Sequence, residues 1–379
     1  MDKERSKVVT RGTSSEKITL NAVCPYFTMF PLSFPLDVLE AHVGTRAAVL
    51  DPFCGRGTTN FAARLLGLPT IAIDSSPIAV AATAAKLVTA VEPTDIILEA
   101  KKILSGQCDA RSPKGRFWTT AYKPSVLAAI CKLRAALLED CRTDRRKALR
   151  GIVLGALHGP LLKDGSSSYL SNQAPRTYAP KPRYAVNFWE HHGLRAPRVD
   201  VLEIVAMRAA RYYSEGLPYV RHRVRQGDSR SLSNLRAACG DQRPKLIVTS
   251  PPYYGLRTYV SDQWLRNWFL GGPDKVDYSY GVQLSHQSVS EFIGDLRKVW
   301  TNVAAVSRGN AHLVFRFGAI NDRLVDPGKI IRNSLQDTPW RLTTIVNAGT
   351  ARQGKRQADN FVHRPKRPLV EFDAWARRA

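Results

Sequence analysis

Hydrophobic positions in this chain fall into short apolar runs, each followed by a segment with helical periodicity. Ala47 to Leu50 is the first run, and it ends in Asp51-Pro52-Phe53-Cys54-Gly55-Arg56-Gly57. Thr58 to Leu66 then repeats its apolar positions at helical spacing, so the pattern reads strand, glycine turn, helix. Thr70 to Ile73 is a second run closing on Asp74, and Ser76-Pro77 opens an Ala-rich helix to about Ala90, with proline suited to the first helical turn. Such β-α-β-α order predicts an α/β fold with a parallel sheet. The alternation fades after Lys101 and resumes at Tyr219 to Gln226, a strand leading to Gly227-Asp228-Ser229. Pro244 to Thr249 is an apolar strand ending at Ser250-Pro251-Pro252-Tyr253. Ser290 to Val306 predicts an amphipathic helix and Ala311 to Phe317 a strand; Pro327 to Leu335 and Arg341 to Asn347 add a helix and a strand, and Pro368 to Phe372 reads as a last edge strand.

Length and charge refine this picture. With 379 residues, 44% of them hydrophobic, the chain can build one large α/β domain carrying an insertion. Lys and Arg number 56 against 32 Asp and Glu, a formal charge of +24, which makes a polyanion the first partner to expect. Between Lys101 and Arg230 there are 25 basic and 10 acidic residues, so about +15 of that charge sits in roughly a third of the chain. The expected organisation is a flexible basic arm, 1–20; the first part of the α/β domain, 21–100; a basic, mainly helical insertion, 101–218; the second part of the domain, 219–350; and a basic C-terminal segment with the edge strand, 351–379. Six cysteines lie scattered without CxxC or Cys/His spacing, against a zinc site or a disulfide framework. No run approaches the roughly 18 apolar residues of a membrane span, and the start lacks the apolar stretch of a signal peptide, so a cytoplasmic protein is expected. His191, His192, His222, His286, His312 and His363 lack acidic or cysteine partners at ligand spacing, and no metal is expected.

In an open α/β sheet, ligands bind beyond the carboxyl ends of the strands, and four polar segments fall there. At Asp51 to Thr58 the glycines allow a tight turn and close approach to a ligand, or serve a turn alone. Asp74 can accept hydrogen bonds from a ribose diol, or cap the helix at Pro77. Asp228 can accept from an adenine amino group, or shape a turn. At Ser250-Pro251-Pro252-Tyr253, two prolines directly after a buried strand fix a stiff extended backbone, leaving carbonyls to accept hydrogen bonds beside an aromatic ring. That arrangement suits a flat ligand bearing an amino group.

Together, VLDPFCGRGTT and LIVTSPPYY resemble the S-adenosylmethionine-dependent, amino-directed DNA methyltransferases, over most of residues 20–350 apart from the insertion. The resemblance implies a Rossmann-like class I methyltransferase fold, a mostly parallel twisted sheet with helices on both faces. It places Asp51, Phe53, Gly55 and Gly57 at the methionine part of S-adenosyl-L-methionine, with Thr58 also at the cofactor, Asp74 at the ribose and Asp228 near the adenine. Leu32-Ser33-Phe34-Pro35-Leu36-Asp37 is similar to the segment that lies against the cofactor, implicating Ser33, Phe34 and Pro35. In the family's catalytic tetrapeptide, here Ser250, Pro251, Pro252 and Tyr253, the first side chain and a proline carbonyl align the exocyclic amine, and the aromatic ring stacks on a flipped base. Serine in first place resembles the N4-cytosine group more than the N6-adenine group; adenine N6, an amine of structured RNA, and a catalytically silent nucleic-acid-binding scaffold are the alternatives. A C5-cytosine enzyme needs a Pro-Cys loop, and Val23-Cys24-Pro25 has the wrong order.

The expected partner is double-stranded DNA, with a restriction endonuclease as a further partner in a restriction-modification setting. Arg116, Arg145, Arg146, Arg176, Lys181 and Arg183 in the insertion, and Arg257 after the tetrapeptide, are the candidate nucleic-acid contacts. Trp264 and Trp268, four apart, either close over the flipped base or form one helix's core face. The basic stretch Arg352 to Arg367 is a further candidate for phosphates.

Overall fold

The structure is a computed structural model that describes residues 19–25, 30–159, 168–173, 181–255, 263–277, 283–318, 325–350 and 370–379. In chain order the helices are α1 (Ser33–Glu40), α2 (Thr58–Leu65), α3 (Pro77–Leu87), α4 (Pro93–Ser105), α5 (Arg116–Ala121), α6 (Pro124–Glu139), α7 (Asp144–Ala156), α8 (Pro182–His191), α9 (Val201–Tyr213), α10 (Leu232–Cys239), α11 (Trp264–Phe269), α12 (Val289–Val306) and α13 (Pro327–Leu335). The strands are β1 (Val49–Asp51), β2 (Thr70–Asp74), β3 (His222–Gln226), β4 (Leu246–Thr249), β5 (His312–Gly318), β6 (Trp340–Thr350) and β7 (Val370–Arg378).

All seven strands form one sheet in the order β3-β2-β1-β4-β5-β7-β6. The first five run parallel, and β7 is antiparallel to both neighbours. The strand order reverses direction between β1 and β4, which is where a doubly wound sheet opens a crevice at its carboxyl edge. This is the Rossmann-like methyltransferase fold that the sequence implies.

Burial follows from that architecture. Alternate side chains of each inner strand feed two cores: Val49, Leu246, Val248 and Val314 on one face, and Leu50, Ile247, Leu313 and Phe315 on the other. The second face is closed by α10, α12 and α13, with Trp300 at its centre. The first face is closed by α1, α2 and α3, and the hydrophobic cluster runs on from them into α4 to α9. The helical segment between β2 and β3 therefore shares the core of the sheet domain. Two glycines of α7 make the contact close: a Cβ at Gly151 would strike Ala85 of α3, and one at Gly155 would strike the Val23 carbonyl. Arg266 of α11, itself buried, ties the same region together by donating to the carbonyls of Leu154 (3.1 Å) and Pro25 (2.6 Å).

Two expectations need correction. The last strand is not at the edge: β7 lies between β5 and β6, spans Val370–Arg378, and leaves β6 as the outer strand. One face of the strand, Phe372, Ala374 and Ala376, packs into the second core, which suits an interior position. The arm expected over 1–20 does not hold at its inner bound, because Thr19–Ala22 is a turn of 3-10 helix with Leu20 buried; residues 1–18 lie outside the described residues. Among the described residues no helix is long and apolar enough to cross a membrane.

Gly151→Ala tests the shared core. Overpacking α7 against α3 is expected to destabilise the protein by about 1–3 kcal/mol, read as a lowered midpoint in thermal unfolding. An unchanged midpoint would show that the two helices are not in contact at Ala85.

Candidate active site

The carboxyl ends of β3, β2, β1 and β4 lie side by side, so the four polar segments meet along one edge. Asp51, the last residue of β1, is buried. Thr249, the last residue of β4, donates its hydroxyl to Asp51 Oδ1 at 2.6 Å, and the Phe53 N–H donates to the same oxygen at 3.1 Å. The glycine bend and the diproline corner are thus hydrogen-bonded neighbours across the switch point.

Asp51 Oδ2 is buried with no hydrogen-bond partner. Burial pushes the Asp51 carboxyl up to about 7, outweighing the hydrogen bonds from Thr249 and the Phe53 N–H. The site therefore holds this group close to the balance point between acid and carboxylate at neutral pH.

Asp74 ends β2 and reaches into the bend. Its Oδ2 accepts from the Gly55 N–H (2.9 Å) and its Oδ1 from the Ser76 N–H (2.9 Å). The cap of α3 is Ser76, whose hydroxyl accepts from the Ala79 N–H, so Asp74 is not the cap. Two carboxylate oxygens offer about four acceptor positions, and these two bonds leave capacity for further donors. Gly57 precedes α2 at φ +75°, and an added Cβ would meet Thr83 Oγ1 at 2.6 Å, so this position requires glycine on two counts. Phe53 is half-buried at the mouth, edge-on to Trp300 with centroids 6.2 Å apart.

Beyond β3, Asp228 meets a partner that sequence reasoning missed. Arg230 pairs with it at 2.8 Å and also with the buried Asp295 of α12 at 2.7 Å. Burial draws the Asp228 pKa upward, but the Arg230 side chain and N–H outweigh it and hold the carboxylate below its ordinary value. The next residue, Ser229, donates to the Pro52 carbonyl at 2.8 Å, locking this loop to the glycine bend.

At the diproline corner, Ser250, Pro252 and Tyr253 are half-buried and Pro251 is buried. Tyr254 turns into the core, edge-on to Phe292 at 5.4 Å, which leaves Tyr253 as the ring of this pair at the surface. The Tyr253 hydroxyl donates to Glu371 of β7 at 2.7 Å, and its ring packs edge-on against Phe317 at 5.3 Å. Gly255 donates its N–H to His286 Nδ1 at 3.1 Å, tying the end of the corner to the segment before α12.

Segment 33–35 reaches the same edge. Phe34 is buried with the Arg316 guanidinium 4.2 Å from its ring centroid, and Arg316 is held by a two-pronged pair to Asp373 of β7 (2.7 and 2.8 Å). Pro35 is buried in the first turn of α1, and Ser33 is exposed. Glu371, Arg316 and Arg230 were not singled out from sequence; the signal for Glu371 was an acid in an otherwise apolar run, Leu369 to Phe372.

The basic residues divide. Arg116 forms a two-pronged exposed pair with Glu190 (2.8 and 2.7 Å), while Arg145 (2.9 Å) and Arg146 (2.6 Å) share the buried Glu99. Lys181 and Arg183 are exposed at the start of α8. Arg176, Arg257 and the stretch 352–367 lie outside the described residues. Trp264 and Trp268 take the core alternative: both are buried against Trp118, at 5.5 and 4.5 Å between ring centroids.

Among solved structures, the rRNA methyltransferase aviRa from Streptomyces viridochromogenes aligns with 97% of this chain and 94% of its own, at 12% identity and TM-score 0.37. A protein from a study titled "Conversion of a Disulfide Bond into a Thioacetal Group during Echinomycin Biosynthesis" aligns with 100% of this chain and 93% of its own, at 12% identity and TM-score 0.35. No curated protein matches the chain.

The buried Asp51 gives a pH signature. A carboxyl whose folded-state pKa is raised keeps a proton that the unfolded chain has released, so its contribution to stability falls as pH rises from the ordinary 3.8 through about 7. Asp51→Asn, which cannot ionise, is expected to gain in unfolding midpoint relative to wild type as pH rises through that window. A difference independent of pH would show that Asp51 ionises normally. Residues 3–85, which contain α1, the glycine bend and Asp74, match the N6/N4 methyltransferase family model described as DNA methylase, and it is this part of the chain that is similar to that family.

Proposed function

We propose that the protein transfers a methyl group from S-adenosyl-L-methionine to the exocyclic amine of a base flipped out of duplex DNA, with cytosine N4 as the acceptor. The observation that carries this reading is the Thr249–Asp51 hydrogen bond, which joins the diproline corner to the glycine bend.

The residues along this edge fit such a donor. A turn with Gly55 and Gly57 at positive φ lets the backbone approach a ligand, Asp74 keeps acceptor capacity for ribose hydroxyls, and the orphaned Asp51 Oδ2 supplies a buried acceptor or donor beside it. Phe34, Pro35 and Asp228 stand on the flanks of the same edge. The donor supplies an electrophilic methyl on sulfur. The Ser250 hydroxyl and the Pro251 carbonyl would accept hydrogen bonds from the amine and orient its lone pair; the donor sulfur would leave as a neutral thioether, and the one proton the amine must lose would pass by the Ser250 hydroxyl to water. Tyr253 offers its ring face to the base. Positioning and preorganised dipoles make up the catalysis, so no covalent nucleophile is required.

Duplex DNA as partner is supported by the net charge of +24 and its concentration before Arg230. Lys181 and Arg183, exposed at the start of α8, are the phosphate contacts tested first. A cognate restriction endonuclease fits a site-specific enzyme of this kind.

Labelled methyl transfer to duplex DNA, followed by nucleoside analysis, is expected to yield N4-methylcytosine. N6-methyladenine, label in RNA alone, or no transfer would each replace this reading. Ser250→Ala and Tyr253→Ala are expected to lower turnover by about 10²–10³-fold with DNA affinity nearly intact, whereas Asp74→Ala weakens donor binding measured by calorimetry; loss of DNA affinity without loss of rate would contradict the assigned roles. Replacing Lys181 and Arg183 by Ala is expected to reduce the slope of log affinity against log salt by about 0.9 for each phosphate no longer neutralised. An unchanged slope would place the DNA-binding surface elsewhere.

A further inference from the structure

We propose that Glu371, on the inner antiparallel strand β7, is a positioning residue that fixes the Tyr253 ring at the angle needed to receive the target base. The inference rests on the reading that Tyr253 faces that base, and it names a residue far away in sequence on which that reading depends.

Three observations carry it. Glu371 is 4% exposed, so its carboxylate is withdrawn from water, and the Tyr253 hydroxyl donates to its Oε1 at 2.7 Å. Gly318 of β5 pairs with Glu371 in register, and a Cβ there would meet both Tyr253 Cε2 and Glu371 Cγ at 3.1 Å. The missing side chain at Gly318 is what lets the ring and the acid meet over the strand. Phe317 closes the remaining side by an edge contact. A tyrosine ring has two torsions, and here packing restrains one end while the hydrogen bond restrains the other. Arg316 adds favourable charge beside both groups and is itself fixed by Asp373 two residues along β7. Ring stacking needs the face in one plane, and a bond at the far end of the ring sets that plane without touching the base.

The test is a two-residue cycle in the full chain. Glu371→Ala and Tyr253→Phe are each expected to slow single-turnover methyl transfer by about tenfold to hundredfold, with S-adenosyl-L-methionine affinity unchanged, and the double variant is expected to be no slower than the slower single. Glu371→Gln retains an acceptor for the hydroxyl and is expected to restore most of the rate. Losses that multiply in the double variant, or a Glu371→Gln as slow as Glu371→Ala, would overturn the inference. Should Glu371→Ala fail to fold, Tyr253→Phe against Glu371→Gln/Tyr253→Phe decides by the same rule, because Glu371→Gln must then have no effect once the hydroxyl is gone. In parallel, ring-labelled tyrosine NMR assigns Tyr253 by the signal missing from Tyr253→Phe, and that signal is expected to move in Glu371→Ala or Glu371→Gln. A wild type that transfers no methyl at all defeats the functional reading alone; an unmoved Tyr253 signal defeats the positioning role whether or not transfer occurs.

Discussion

The hydrogen bond from Thr249 to Asp51 is the join on which the site depends. Two parallel strands diverge at their carboxyl ends, and the loops leaving them turn to opposite sides of the sheet, so nothing in the backbone ladder holds those loops together. A buried hydroxyl and a buried carboxyl supply that tie with 2.6 Å between them. Such a bond contributes on the order of 1–3 kcal/mol when one partner is ionisable. Its greater effect is geometric, because it sets the distance between a ligand in the glycine bend and whatever meets the diproline corner. The burial that strengthens the bond also raises the carboxyl's pKa, so its protonation and the spacing of the two loops are coupled.

Around that join, each neighbouring loop is locked by one or two polar contacts. Asp74 holds the Gly55 N–H, Ser229 holds the Pro52 carbonyl, and Arg230 bridges Asp228 to Asp295. None of these is a large energy alone. Together they convert four loop ends into a rigid rim, while the hydrophobic faces below supply the stability. The helical segment before β3 belongs to the same body, since α7 packs against α3 through Gly151. A ligand touching α8 and one touching the rim would therefore be held by one continuous core.

Much of this was legible in the residues. Short apolar runs ending in Asp51, Asp74 and Thr249 marked three parallel strands, because a buried parallel strand must be apolar on both faces and its polar residues collect at the end; β3, HRVRQ, is the exposed edge strand and lacks that pattern. Pro at the first turn of α3 and the glycines before α2 fixed the element boundaries nearby. Partnership was not legible. The sequence of Arg145-Arg146 reads as a free basic cluster, and only the fold brings Glu99 beneath it, 46 residues upstream of Arg145. Trp264 and Trp268 read equally as a lid or as a core face, and what decided was the presence of Phe117 and Trp118 opposite them. The place of β7 was missed because a strand's neighbours are set by topology, and an alternating pattern says only which face is wet.

The position of β7 has a consequence for how the protein is made. It follows β6 in the chain yet lies between β5 and β6 in the sheet. During synthesis β5 therefore leaves the ribosome with one edge bare, and at rates of about 5–20 residues per second it waits several seconds for its partner. The parallel strands can assemble in that interval, but Tyr253 has no acid to bind until Glu371 emerges. The nascent chain thus carries a complete glycine bend before it carries a finished diproline corner, and that bare edge is where a chaperone or a second nascent copy would compete.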